Sequence, residues 1–369
     1  MAEPDRVGAL STPRTRTVFL ERFPLRKVIQ GTLAVVLVLG VGYGAWKTLS
    51  LPAGEAISGA GWRDFVVQGL SRGSIYAMIA IGYSLVYGIL LMINFAHGEV
   101  FMAGAFASFF VARTFEESGF LNSNAIAAIL VLMAVAMAVS MLIAVLLERV
   151  AYRPLRGAPR LVPLITAIGA SLFLQNAFRG FFSPRTRGYP TPEVLSGQWN
   201  ILGIQVDRPA ALVILTAALS MVALSLFVAR TKTGKSMRAV SEDKEIASLM
   251  GINVDHVIVT TFAVGGLLAG VAGVLFAFTF GQVGPFMGFV PGIKAFTAAV
   301  LGGIGSISGA ALGGLTLGLM EAVAPPLLLK GVGVPSFFQL QDVVAFMVLV
   351  FVLIFRPGGI LGTAEEQKV

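Results

Sequence analysis

Residues able to do chemistry are few in this chain, and their spacing decides what they can do. There are two histidines, His97 and His256, and no cysteine among 369 residues. A zinc-type centre needs three or four converging ligands, so no metal site is expected. Without cysteine there are no disulfides and no thiolate nucleophiles, and the redox compartment stays open. A hydrolase needs a nucleophile held against a general base. No Ser–His, paired-Asp or His-Glu-x-x-His pattern lies within an apolar segment, so no catalytic residue is assigned. Gly234-Lys235-Ser236 resembles the end of a phosphate-binding loop, but that loop needs a glycine five positions before its second glycine. Position 229 is Ala, and an apolar segment rather than a strand precedes it. The chain is not expected to hydrolyse ATP by itself. Gly303-Ile304-Gly305 fails the dinucleotide-binding pattern on spacing and context.

Two polar stretches carry more. Asn94-Phe95-Ala96-His97-Gly98-Glu99 lies between two apolar segments. It reads either as a capped helix end with Glu99 near a helix N-terminus, or as the polar lining of a substrate path. In the second reading it acts with the broken backbone at Gly302, Gly303 and Gly305. Gln175 and Asn176 lie late in another apolar segment, while Lys294, Glu321 and Asp342 lie at segment edges. Arg72 is expected at the outer edge of a segment, where its stem can snorkel. The second stretch is 234–252. Ser241 is expected to cap a helix whose first turn holds Glu242, Asp243 and Glu245, and Gly251 is a fitting stop. Ala239, Ile246, Leu249 and Met250 would form one apolar face. Such a helix either docks in a partner's groove or is a solvated loop stiffened by charge.

The elements that hold these residues are membrane spans. The chain is 56% hydrophobic and 12% charged, with mean hydropathy +0.85. Soluble domains are about 25% charged, so a soluble enzyme and a nucleic-acid-binding domain are excluded despite a net charge of +8. Apolar segments run over about 28–46, 73–93, 100–112, 125–147, 161–182, 210–229, 257–280, 293–323 and 340–355. Several have about the 20 residues a span requires, and none repeats a polar face every 3.6 residues. The stretch 61–71 reads as an interfacial helix. Period-2 alternation is missing, which excludes a membrane barrel. The expectation is an all-α polytopic membrane protein with about eight to ten helical segments. The segment 293–323 is long for one span and short for two, and is read as a Gly-rich re-entrant or broken pair. Irregular backbone at that depth must be buried or line a wet cavity. Glycines spaced by four, Gly305/Gly309/Gly313, Gly314/Gly318 and Gly266/Gly270, predict either tight helix bundling or a protein–protein interface.

Lys and Arg set orientation. Fifteen of the 27 basic residues fall in three segments, 1–27, 148–160 and 230–244. Their alternation with six crossings predicts a cytoplasmic N-terminus and a cytoplasmic 230–256. The first apolar segment has a signal-peptide look, but no small-x-small site follows Trp46, so an uncleaved span is preferred.

Several blocks resemble the LivH-type permease of bacterial branched-chain amino acid ABC importers. They are 73–83 with 92–99, Glu148-Arg149-Val150-Ala151-Tyr152-Arg153-Pro154, Ala167-Ile168-Gly169, 295–306 and Pro357-Gly358-Gly359-Ile360-Leu361-Gly362. Together they span about 62–362 in matching order. The resemblance implies a permease domain over 62–369 in the bacterial inner membrane. It implies a homologous second permease (LivM-type), two cytoplasmic ATPases and a periplasmic amino-acid-binding protein as partners, with no nucleic acid. It implies no cofactor on this chain, ATP and Mg being used by the partner subunits. The stretch 230–256 then resembles the coupling segment of ABC importers, Glu-Ala-Ala-x-x-x-Gly, here Glu245-Ile246-Ala247-x-x-x-Gly251. That makes Gly234, Arg238, Asp243, Glu245, Ala247 and Gly251 the expected ATPase-coupling residues. Residues 1–61 depart from the family pattern and are read as a cytoplasmic tail plus one added span. The implied substrate is Leu, Ile or Val. Alternatives are urea or short amides in the same family, a stand-alone secondary transporter and a membrane-embedded enzyme. The carrier reading wants carboxylates or histidine deep within spans, and few are visible.

Overall fold

A computed structural model describes residues 25–159, 161–201, 204–356 and 358–361. The basic stretch 1–24, Arg160, Pro357 and Gly362 lie outside the described residues. The rest is almost wholly helical. In chain order the helices are α1 Leu25–Leu49, α2 Gly59–Leu90, α3 His97–Glu117, α4 Phe120–Ser123, α5 Ala125–Leu147, α6 Leu161–Phe182 and α7 Arg208–Arg230. There follow α8 Lys232–Glu242, α9 Lys244–Leu249, α10 Val254–Phe280, α11 Phe289–Gly302, α12 Ile307–Leu329 and α13 Gln341–Phe355. Four short strands, β1 Arg187–Gly188, β2 Gln198–Ile201, β3 Ile204–Asp207 and β4 Gln282–Val283, form two small antiparallel pairs, β1–β4 and β2–β3. Among the described residues eight helices are long and apolar enough to cross a membrane. The chain is a multi-pass, all-α membrane protein.

The core is built on α2 and α10, which are buried along most of their length. α2 runs antiparallel to α12, and small residues let the two backbones touch. A Cβ on Gly314 would overlap Ala77, and one on Gly318 would overlap Gly73. Lipid offers no hydrophobic drive between helices, so this close contact has to supply the attraction. Gly266 and Gly270 bring α10 equally close to α5, at Ser140 and Ala136. The glycine spacing thus serves the packing expected of it.

Three sequence expectations change. First, 61–71 and 73–93 are not an interfacial helix followed by a span. They form one helix, α2, of 32 residues, started by Ser58, which accepts from the Gly61 amide at 3.1 Å. Second, the pair at 293–323 is unequal. α11 is a 14-residue half-helix, and α12 is a 23-residue helix of span length that continues through Pro325 and Pro326. Between them Gly303 and Gly305 adopt positive φ of 105° and 94°. Ser306 then caps α12, accepting from the Gly309 amide at 3.1 Å. The orphan carbonyls at the end of α11 are met by the segment after α13, where the Ile360 and Leu361 amides donate to Leu301 and Gly302 at 2.8 and 2.9 Å. Third, Lys294 and Glu321 are interior residues of α11 and α12, and Arg72 lies within the long α2.

One end of the bundle gathers the connections α5–α6 and α7–α10, the α11–α12 break and the residues after α13. Arg149, Arg153, Lys232, Lys235, Arg238 and Lys244 all lie in these connections, so this is the basic end. There Arg156 pairs with the fully buried Glu148 and with Asp255, and Arg153 pairs with Asp255 at 2.7 Å. These ion pairs staple the α5–α6 connection to the start of α10.

Candidate functional site: a buried carboxylate and an exposed docking helix

α3 does not start at the basic end. Its first residue, His97, packs on Gly82 of α2, eight residues before α2 ends, which at 1.5 Å per residue is roughly 12 Å into the bundle. Asn94, His97 and Glu99 are all buried there. Tyr152 donates to Asn94 Oδ1 at 2.6 Å, so the α5–α6 connection holds the turn before α3. Tyr83 meets the His97 ring edge-on at 5.1 Å. Of the helix-cap reading, Glu99 does lie in the first turn of α3, but no side-chain cap forms. The Glu99 carboxylate turns instead to α6. Its Oε1 accepts from Gln175 Nε2 at 2.7 Å and from Ser171 Oγ at 3.2 Å. Glu99 Oε2, His97 Nε2 and Asn94 Nδ2 are buried with no protein partner, and orphan polar groups in an interior call for a functional explanation.

Glu99 and Ser171 face a cavity of about 250 Å³ whose other walls include Tyr83, Phe95, Leu172 and Ile293. Of the six residues expected along a path, only Glu99 lines it. Asn94 and His97 are buried without lining it, whereas Gly302, Gly303 and Gly305 sit at the basic end. Gly302 there packs on Gly309, and Gly305 lies beside Gly88 near the end of α2. The structure therefore separates the polar cluster from the glycine break.

The stretch 230–256 forms two helices, not one. Thr231 caps α8, accepting from the Gly234 amide at 3.0 Å. Ser241 is no cap. It lies inside α8 and donates back to Arg238 O at 2.7 Å. The cap of α9 is Asp243, whose Oδ1 accepts from the Glu245 and Ile246 amides at 2.8 and 2.9 Å. Asp243 can accept two amides where a serine further back would meet none. α9 ends in a Schellman motif, with Ile252 N–H to Ala247 O at 3.1 Å and Gly251 N–H to Ser248 O at 3.0 Å. Gly251 takes φ +82°, a conformation an L side chain resists. Ala247 is buried beneath this helix, while Ile246, Leu249 and Met250 are 60%, 86% and 78% exposed. Arg238 and Glu245 are also exposed. Gly234 is not part of that surface, because its backbone presses on Phe227 and Val228 of α7. Burial first, then the nearby Arg156 charge, hold the Lys244 ammonium below the usual lysine range. Among the described residues no group of three or more His, Asp or Glu is placed to hold a metal.

Residues 65–353 match the family described as "Branched-chain amino acid transport system / permease component". The chain belongs to that family. It is 44% identical over 307 residues to the high-affinity branched-chain amino acid transport system permease protein BraD of Pseudomonas aeruginosa, covering 82% of this chain and 97% of the relative. The corresponding LivH proteins of Salmonella typhimurium and Escherichia coli are 43% and 42% identical over the same length, with 96% of each covered. No solved structure matches. In this permease α1 lies ahead of the family match. It packs along α12, with Thr48 Oγ1 accepting from the Gly331 amide at 2.8 Å.

Sequence reading missed the ion network inside the permease. Lys294 Nζ lies 2.9 Å from Glu321 and 2.6 Å from Asp342. Arg72 lies 3.7 Å from Glu321 and donates to Gln341 Oε1 at 2.6 Å. Each charge falls near the limit of an apolar run, and only the pairing of α2, α11, α12 and α13 brings them together.

Proposed function

We propose that this chain is the permease subunit of an importer that moves branched-chain amino acids, Leu, Ile and Val, into the cytoplasm. Separate ATPase subunits power it. The observation that carries the reading is α9. It is a capped helix at the basic end with three apolar side chains bare to solvent, in a family whose curated relatives are named as transport-system permeases. Basic residues concentrate on the cytoplasmic side of membrane proteins, which supports a cytoplasmic basic end and N-terminus in a bacterial inner membrane. In this reading Arg238, Asp243, Glu245, Ala247 and Gly251 form the ATPase-facing segment, and Gly234 fixes its angle to α7. Glu99 faces the path, Asn94 and His97 position it, and Gly302, Gly303 and Gly305 hinge the half-helix. A second, homologous permease and a periplasmic amino-acid-binding protein complete the assembly. The chain is a transport subunit and not an enzyme. It binds no cofactor, and ATP and Mg act in the ATPases. Within residues 25–61, α1 adds one peripheral span.

The buried Glu99, Lys294 and Glu321 favour one rival, a stand-alone ion-coupled carrier, because such carriers use ionisable groups within spans. Uptake in proteoliposomes holding the complete importer separates the two. Radiolabelled Leu, Ile and Val should accumulate only with ATP, and urea or acetamide should not compete. Glu99→Gln should slow uptake while the complex still assembles. Accumulation driven by a proton or sodium gradient without ATP would overturn the reading.

A further inference from the structure

The ion network does not stand in solid protein. Arg72, Lys294, Glu321 and Asp342 line one cavity of about 410 Å³. That volume falls within the range of small-molecule sites, roughly 300–1,000 Å³, whereas the Glu99 cavity falls below it. The remaining wall is largely apolar and includes Phe276, Phe280 and Met287. The cavity borders the connections after α6 and α10, through Thr186 and Gln282, and so lies toward the end opposite α9.

Two positive and two negative groups face this space, so it carries no net charge. Glu321 is 2% exposed. Its Oε1 takes the Lys294 ammonium and the Tyr76 hydroxyl, but its Oε2 has no partner. Arg72 has five N–H donors, one of which bonds Gln341 Oε1. A buried carboxylate oxygen without a partner is costly. The same carboxylate lies 3.7 Å from a guanidinium with donors to spare, in a cavity with an aromatic-aliphatic wall. A ligand answering all three carries a cation, an anion and a short apolar group.

We propose that this cavity is a binding site for a zwitterionic aliphatic α-amino acid on its way through the permease. Its ammonium is received by Glu321 and Asp342, its carboxylate by Arg72 and Lys294, and its side chain by the phenylalanines. The inference rests on the transport reading above and adds a named site to it.

The test uses the complete importer in proteoliposomes, with radiolabelled L-leucine as the probe. Val290 lines the cavity without joining the ion network, so Val290→Trp fills the space and leaves the charges paired. Glu321→Gln keeps the shape and removes the charge. Both variants are expected to assemble, as judged by recovery of the complex, and to lower leucine uptake roughly tenfold or more, the scale set by loss of a buried charge partner. If Glu321→Gln fails to assemble, Val290→Trp decides alone. Native-level uptake by Val290→Trp overturns this site while leaving the transport reading intact. No uptake by the native importer would sink both.

Discussion

Arg156 shows how unequal two neighbouring arginines can be. It is one-fifth exposed and pairs with Glu148, which is wholly buried. Arg153, three residues earlier, pairs with Asp255 where both side chains are about half exposed, 50% and 52%. Removing one partner of a buried pair strands a charge in the interior and costs about 3–5 kcal/mol. An exposed pair contributes about 0–1 kcal/mol. Arg156→Ala should therefore lower the melting temperature of the purified protein strongly, and Arg153→Ala barely. Equal melting temperatures for the two would contradict the burial of Glu148. The same contrast explains what was legible at this scale. Glu148 and Arg153 stand out within a recognisable block, but nothing in the order of residues says which arginine meets the buried acid. That depends on α10 arriving from a hundred positions away.

Among the elements, the spans were read closely because hydropathy is local. The segments at 125–147 and 161–182 coincide with α5 and α6. α2 was split in expectation because Arg63, Asp64 and Arg72 interrupt its apolar run. Helix propensity does not stop at a charge, and Arg72 is accommodated by Glu321 and Gln341 from two other helices. α11 was hidden for a similar reason. It is too short to span, and only its packing against α2 and α12 sets it apart from the glycine-rich run around it. Glycine periodicity predicts close packing without naming the partner; the structure supplies it between α2 and α12, where Gly318 presses on Gly73. Gly318→Leu should force these helices apart and cost about 1–3 kcal/mol, as overpacking does. Gly169→Leu should be tolerated, since no atom lies within 4 Å of a Cβ there. Thermal stability of the two variants, measured side by side in detergent, checks this. Equal losses would mean that α2 and α12 are not in contact through Gly318.

For the molecule as a whole, transport requires that events at α9 reach the cavities on the far side of the bundle. α9 is fastened at both ends, by Asp243 and by the Gly251 motif, so a push on its bare apolar side chains is passed to Ala247 and the chain entering α10. Through Arg156, the same end is tied to the connection that carries Tyr152, and Tyr152 holds Asn94 beside the Glu99 cluster. In the proposed reading, this continuous set of contacts would carry coupling between α9 and the Glu99 cavity. The most direct test is ATP-driven accumulation of L-leucine in proteoliposomes by the importer carrying Gly251→Trp. A tryptophan there cannot keep the positive φ without strain, yet its Cβ has no atom within 4 Å, so the complex should assemble and continue to hydrolyse ATP. Leucine accumulation should fall by about 5–150-fold, the range of a typical coupling energy. Accumulation at the native rate would contradict the claim that α9 is where ATPase motion enters this permease.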